Sequence, residues 1–433
     1  MAELQHEALS RSWTSRNEFP LISDWITANT IPLQHVVSAS ECRQLWYPLI
    51  SPPSRSLVDA NETFLQWTRV AHRLLAVRAM QGAANGDING AVSDLLALIR
   101  LGRLSRHRAT THSILFGSIY ELAGYYGFEI LIEGNMLSDQ QASDCLKVII
   151  SEELSNPLEH EKNVLNRIMS IDALQSLVFD DNGEIEADNQ LTALSRFNSR
   201  GELQSYVRDH VDLAAAQDEI HVWMDRAVNI LRLSEVTARR QQFAALEESL
   251  IRITKSASTD LRDSTDPEKP GRALGALMVY QTLQKNLIDL DRVVRTENAI
   301  IGTSLALILA AFDGRDLSKV QDLVPDYLPK TPVDLDSGLP LSMKHSEGTF
   351  RIWSSGLRAD GKTPMRFQFR LKENVASNSS LNKAKDATAQ SSIRVETDSL
   401  GAGRRVVWIT CGVSICAIAI GFMFLKSRLQ NRS

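Results

Sequence analysis

Apolar residues recur at three- and four-residue spacing through most of the chain from Asn61 to about Phe312, and this period predicts a mainly α protein. Between 91 and 104, Val92, Leu95, Leu96 and Ile99 share one helical face; between 64 and 80, Val70, Leu74 and Val77 keep the same period. The intervening GAANGDING (Gly82–Gly90) is a Gly/Asn/Asp cluster that breaks helices and turns the chain. Two amphipathic helices joined by a short turn make a helical hairpin. The next helix, Ser113–Glu133, is apolar on nearly all sides and holds Gly117, Gly124 and Gly127, which marks a central helix approached closely by its neighbours. Gly134 and Asn135 end it, and Ser138 with Gln141 three residues on forms a capping box for the following helix.

The pattern divides the chain. Residues 1–60 form a partly helical N-terminal segment and 61–312 a helical-hairpin, repeat-like body. Within the body, the acidic, turn-forming FDDNGEIEADN places a loop near 178–201, and SASTDLRDSTDPEKPG (Ser256–Gly271) has the composition of a linker. AIIGTSLALILAAF, ending at Phe312, is apolar for fourteen residues, too short to span a bilayer and therefore a buried helix. Residues 313–372 form a small α+β module. Its first part carries four prolines between Leu323 and Leu341 and excludes a long helix. Strands follow at Thr349–Ser354 and Met365–Leu371; in the second, Met365, Phe367, Phe369 and Leu371 alternate with Arg366, Gln368 and Arg370. An antiparallel sheet packed on the helix Arg295–Phe312 is the expected arrangement. Residues 373–403, rich in Ser, Asn, Ala and Lys, bury no core and read as a flexible tether.

The tether leads to a different texture. Val406–Leu425 (VVWITCGVSICAIAIGFMFL) is twenty residues without a charge. At 1.5 Å per residue a helix of that length covers about 30 Å, the thickness of a bilayer's hydrocarbon core. Arg404 and Arg405 bound it on one side, Lys426, Arg428 and Arg432 on the other, and Trp408 lies near one boundary where an indole suits the interface. This predicts one C-terminal transmembrane helix over 404–425, a single-pass anchor in the lipid bilayer, followed by a short basic tail at 426–433. Small residues four apart, Gly412 with Cys416 and Ala417 with Gly421, would support a weak homodimer. With Arg394 counted, residues 391–405 hold three basic side chains and the tail after Leu425 also holds three, so the positive-inside comparison is a tie. MAELQHEALSRSW has no apolar core of a cleavable signal, so insertion after synthesis, with the body in the cytosol, is the default topology.

Charge narrows the partners. The formal net charge of −5 includes five cations and no acids from Arg404 onward, which leaves the preceding 403 residues at −10. An acidic body argues against nucleic acid as the main partner. Cys411 and Cys416 lie in the apolar run, so Cys42 and Cys145 alone remain for the rest, too few for a disulfide framework or a four-cysteine zinc site.

Constellations with chemical potential resolve into ordinary explanations. Asn85–Gly90 imitates the first half of a calcium loop, but the twelfth position is Leu96 rather than a bidentate Glu, which favours a helix-connecting turn. His107 and His112 are five apart and fall on different helix faces; His210 and His221, with Asp218 nearby, are eleven apart. None forms the i, i+4 pair of zinc hydrolases. Arg100, Arg103 and Ser105–Arg108 fall at the end of a helix and read as solvated cations facing its C-terminus. Glu159 with Glu161, and Asp180 with Asp181, are paired acids in polar stretches. No catalytic, cofactor-binding or metal residues are expected from the sequence.

Two stretches resemble a set of functionally uncharacterised bacterial envelope proteins. RLLAVRAMQGAANGDINGAVSDLLALIRLGRL is similar to that family's hairpin, itself similar to a tetratricopeptide unit; VQDLVPDYLPKTPVDLDSGLPLSMKHSEGTFRIWSSGLRADG is similar to its ending, which resembles the C-terminal module of pseudopilins. Asp334-Leu335-Asp336 stands where the family has an Asp-Pro-Phe turn, and Leu357–Lys362 lacks the pseudopilins' calcium-binding ending. The resemblance implies a bacterial inner-membrane location, usually with an N-terminal anchor and an extracytoplasmic body. The expected role is a membrane-anchored, non-catalytic helical scaffold that binds other proteins; the rival readings are an envelope enzyme with an unrecognised site and a component of a pilin-like export assembly.

Overall fold

A computed structural model describes residues 18–45, 63–107, 110–151, 157–179, 200–357 (apart from 234, 264–265, 267, 284–285 and 316) and 364–371, together with Ala8, Arg11, Trp13 and Leu57. The molecule is mainly helical with one small sheet. In chain order the helices are α1 (Pro20–Ala28), α2 (Thr30–Ser40), α3 (Thr63–Ala84), α4 (Ile88–Arg106), α5 (Thr111–Glu133) and α6 (Asp139–Ile150). A helical turn Pro157–His160 and a π-helix Glu161–Asn166 lead into α7 (Arg167–Phe179). Then come α8 (Arg200–His210), α9 (Leu213–Leu231), α10 (Val236–Asp263), α11 (Glu268–Thr282) and α12 (Asn286–Phe312).

The hairpin is α3–α4, and its turn works as the residue types require. Gly86 takes φ +81°, and Asp87 caps α4 by accepting from the Gly90 amide at 2.9 Å. Leu96 is buried on the apolar face. Helix α5 is central, packed against α3, α4 and α12. Its start is a capping box between Thr110 and Ser113, and that of α6 is the Ser138–Gln141 box expected from sequence. Helices α7, α9, α10 and α11 pack together as a second group, with Gly271 and Gly275 letting α11 approach the α9 backbone at Asp212 and Ala216. A continuous apolar core joins both groups to the sheet.

Two sequence expectations change. Helix α10 continues through 256–263, eight residues whose composition reads as linker. Extending an existing helix costs only tenths of a kcal/mol per poor residue, so an amphipathic start carries a polar end with it. The apolar run that ends at Phe312 is only the second half of α12, whose segment Leu287–Phe312 is 26 residues long and apolar enough to cross a membrane. That helix is not C-terminal, and 78 % of its most apolar window is buried inside the body.

The sheet is an antiparallel meander, β1 (Ser342–Ser346), β2 (Thr349–Leu357) and β3 (Pro364–Arg370), in the order β1-β2-β3. Two strands were expected; β1 is the third, and its polar SMKHS carries no alternation to reveal it. Glu347 and Gly348, with φ of +51° and +72°, close the β1–β2 hairpin. Phe350, Ile352, Met365, Phe367 and Phe369 form the buried face, against α12 and α5. The expectation of a sheet on this helix holds. The acidic stretch 180–199 and everything from 372 onward, including the segment expected to be a tether, lie outside the described residues.

Candidate functional site

Where the sequence suggested solvated cations at the end of α4, the structure buries two of them and leaves Arg100 half-exposed, while Arg108 lies outside the described residues. Arg103 and Arg106 are each about 3 % exposed. Helix α4 ends in contact with α5 because Gly102 and Gly117 meet: a Cβ on Gly102 would stand 2.5 Å from the Gly117 carbonyl oxygen. This close crossing draws the arginines of the last turn inward, toward Glu121 on α5 and Asp291 on α12.

Arg106 donates to Glu121 Oε1 at 2.9 Å and to Asp291 Oδ1. Arg295 donates to the other Asp291 oxygen at 2.9 Å. Arg103 reaches past the ion pairs to the open end of α6, donating to the carbonyls of Val148 (2.8 Å) and Ile149 (2.9 Å) and to Asn298 Oδ1 at 3.2 Å. Those carbonyls belong to the last turn of α6, where no intrahelical donor exists and a cation complements the dipole. The Tyr125 hydroxyl lies 3.1 Å from Glu121 Oε2 and 3.0 Å from Asn298 Oδ1.

Burial opposes the charge on Arg106, but the Glu121 and Asp291 carboxylates outweigh it and hold its pKa above the ordinary guanidinium value. Burial, then the Glu121 charge, push the Tyr125 phenol upward, so it stays a donor. Two buried cations thus face two buried anions, spanning α4, α5 and α12 and ending on α6. The arrangement locks four helices together.

A second buried pair sits on the π-helix. Glu161 and Lys162, both at most 1 % exposed, are 3.1 Å apart. Glu161 Oε1 also accepts from Thr111 Oγ1 (2.7 Å) and Asn166 Nδ2 (3.2 Å), tying this turn to the start of α5. Glu159 turns outward to Arg232 at 2.8 Å, so Glu159 and Glu161 serve different contacts and do not act as a pair. Asp180 and Asp181 lie outside the described residues.

The third constellation is the turn Asp334-Leu335-Asp336. Asp334 accepts from the hydroxyls of Ser337 (2.7 Å), Ser354 (2.5 Å) and Ser355 (2.6 Å) and from the amides of Ser355 (2.9 Å) and Asp336 (3.0 Å). Burial would raise its pKa, but these donors prevail and bring it down to about 2. Asp336 receives Arg292 of α12 at 2.7 Å, and the same guanidinium donates to the Leu357 carbonyl at 2.8 Å. The turn therefore fastens the proline-rich segment to both α12 and the sheet.

The histidines singled out from spacing make separate contacts: His210 stacks on Tyr206 at 4.9 Å, and His221 meets Arg167 at 2.8 Å. Among the described residues no three His, Cys, Asp or Glu side chains converge as metal ligands would. The residues expected from the sequence to form an anchor, Arg404, Arg405, Val406, Trp408, Gly412, Gly421, Leu425, Lys426 and Arg428, lie outside the described residues.

Glu121 was the sign of the buried network available in the sequence, a carboxylate inside an apolar helix. The network's second carboxylate, Asp291, is 170 positions away and has no local signature. No family model matches the chain, and neither a curated protein nor a solved structure matches it, so the envelope-family resemblance rests on the quoted residues alone.

Proposed function

We propose that the protein is a membrane-anchored, non-catalytic helical scaffold, held to the bilayer by residues 404–425 and presenting its helical body to other proteins. The observation that carries the reading is the twenty-residue uncharged run at 406–425, bounded by Arg404, Arg405, Lys426 and Arg428. The tether of 373–403 would confine the body near the membrane and raise its local concentration for any partner there. The buried ion pairs support a scaffold role because they spend the body's interior charge on fixing helix against helix.

The test is extraction of the full chain from membranes with alkaline carbonate, beside a variant carrying Val413→Arg and Ile418→Arg. Charges near the middle of a spanning helix oppose insertion by about 3 kcal/mol each. The native chain should resist extraction and float with lipid, and the variant should be released. A native chain released as readily as the variant would refute anchoring. Protease accessibility of the body in sealed vesicles then assigns its side.

A further inference from the structure

The outer face of the sheet is chemically unlike the rest of the body. Antiparallel register sets its rows: Leu357 with Pro364; Ser342 with Trp353 and Arg366; Lys344 with Arg351 and Gln368; Ser346 with Thr349 and Arg370. Lys344, Arg351, Arg366 and Arg370 are all exposed, and among the described residues none of the four meets a carboxylate within ion-pair distance. Arg351 donates to its neighbour Gln368 at 3.0 and 2.9 Å, which spreads its guanidinium across the face. Half-buried Trp353 and the exposed Leu357 place apolar surface among these cations. Residues 342–370 hold six Lys or Arg against two acids, in a region of the chain (1–403) whose net charge is −10.

We propose that this face docks on an anionic lipid surface, the surface of the bilayer to which the chain is tethered. The inference rests on the anchoring proposed above. Cations with an interfacial indole and a flanking leucine suit a headgroup layer, where anionic lipid attracts Lys and Arg and an indole keeps its N–H wet. The geometry of the chain favours lipid over a nucleic acid or an acidic protein. The strand that carries Arg366 and Arg370 ends at Arg370, and the apolar run begins 36 residues later, within reach of the same membrane. Docking would turn a loosely tethered body into an oriented one, with α12 and the helical groups behind the sheet facing away from the bilayer.

The experiment uses the full chain in vesicles of phosphatidylcholine alone and of phosphatidylcholine with phosphatidylglycerol. A bimane fluorophore is placed at Ser342→Cys, with Cys42→Ser, Cys411→Ala and Cys416→Ala, and is read by quenching from lipids with a nitroxide headgroup. Quenching should appear only with phosphatidylglycerol and fade at high salt. Each of Lys344→Glu, Arg351→Glu and Arg366→Glu should lower the docked-to-undocked ratio by at least about fivefold, the factor expected for one cation near such a surface. Arg366→Lys should retain docking, and Arg272→Glu, at an exposed position of α11 away from the sheet, should leave it unchanged.

A chain that resists carbonate extraction but shows the same quenching in both vesicles would overturn docking and leave anchoring intact. A chain that fails to anchor yet binds phosphatidylglycerol vesicles through these residues would sustain docking and end the anchor reading. Failure to anchor and to bind would end both. Binding of polyuridylate through the same arginines without a response to phosphatidylglycerol would reassign the face to nucleic acid.

Discussion

Arginine has opposite uses in two parts of this molecule. In the helical body, Arg103 and Arg106 are buried, each within reach of Glu121, and their charge is consumed by carboxylates and the end of α6. On the sheet, Arg366 and Arg370 alternate with Phe367 and Phe369, so the same period that buries the aromatics leaves the guanidiniums in water. Helix geometry makes the first case: a Gly102–Gly117 crossing brings backbones so close that nearby long side chains must turn into the interface. Strand geometry makes the second, because successive side chains point to opposite faces. Buried arginine here is architecture; exposed arginine is free to meet something else.

The sharpest way to break this contrast is to remove the anion that both buried arginines approach. Glu121→Ala leaves Arg103 and Arg106 with Asp291 as the remaining buried carboxylate of the cluster, and breaking such a network costs about 3–5 kcal/mol. Urea unfolding should show the loss as a lower midpoint. Combining Arg106→Met with Glu121→Gln restores the balance of one cation to one anion, so the double variant should cost less than the two single changes added together. Strict additivity would mean that the side chains are not coupled.

The turn that fastens the sheet offers a weaker but more specific probe. Asp334→Ala removes an acceptor of five hydrogen bonds, an expected loss of about 2–3 kcal/mol. Because the folded pKa is depressed to about 2, the carboxylate's contribution is complete above its ordinary value of 3.8 and disappears as pH falls toward 2. Native chain and Asp334→Asn should therefore converge in stability across that window. A gap that persists at pH 2 would show that the carboxylate charge is not what holds the turn.

Next in size is the crossing itself. Gly117→Ala puts a methyl 2.5 Å from the Gly102 carbonyl and 2.7 Å from Arg106 Cγ, and overpacking of this kind costs about 1–3 kcal/mol. Gly86→Ala, where no atom lies within 4 Å but φ is +81°, tests backbone strain alone. A smaller thermal shift for Gly86→Ala, about 1 kcal/mol, would separate the two roles of glycine.

These sites differ in how far the sequence discloses them. The hairpin, the start of α6 and β3 follow from patterns a few residues long, and each is found where its period, cap or alternation places it, whereas α5 begins at Thr111, two residues before the Ser113 start read from the sequence. The Asp334 turn was visible only as a departure from a motif. The charged centre is hidden from the sequence, since Arg103 and Arg106 have the position of ordinary C-terminal cations and Arg106's acceptor Asp291 is 185 residues distant. Local patterns cannot report which distant helix will close over them. Strand β1 was missed for a related reason, because its identity comes from pairing with β2 rather than from its own polar sequence.

The smallest effect concerns a side chain that belongs to neither class. His72 lies beside the buried network of α5, stacked on Tyr120 at 4.4 Å, and its Nδ1 has no hydrogen-bond partner among the described residues. Burial, followed by the charge of Arg73, depresses its pKa to about 3, so the folded protein holds it neutral. The unfolded chain would protonate it near 6.5. The sign is therefore fixed: stability is complete above about pH 6.5 and falls as the solution is acidified toward the folded value. Because the residue as a whole is only half-buried, the linkage is discounted to about 1 kcal/mol by pH 5. His72→Phe keeps an aromatic ring on Tyr120 and removes the titration, so its stability should stay level between pH 7 and 5 where the native chain declines. Parallel declines for the two proteins would place the acid sensitivity elsewhere.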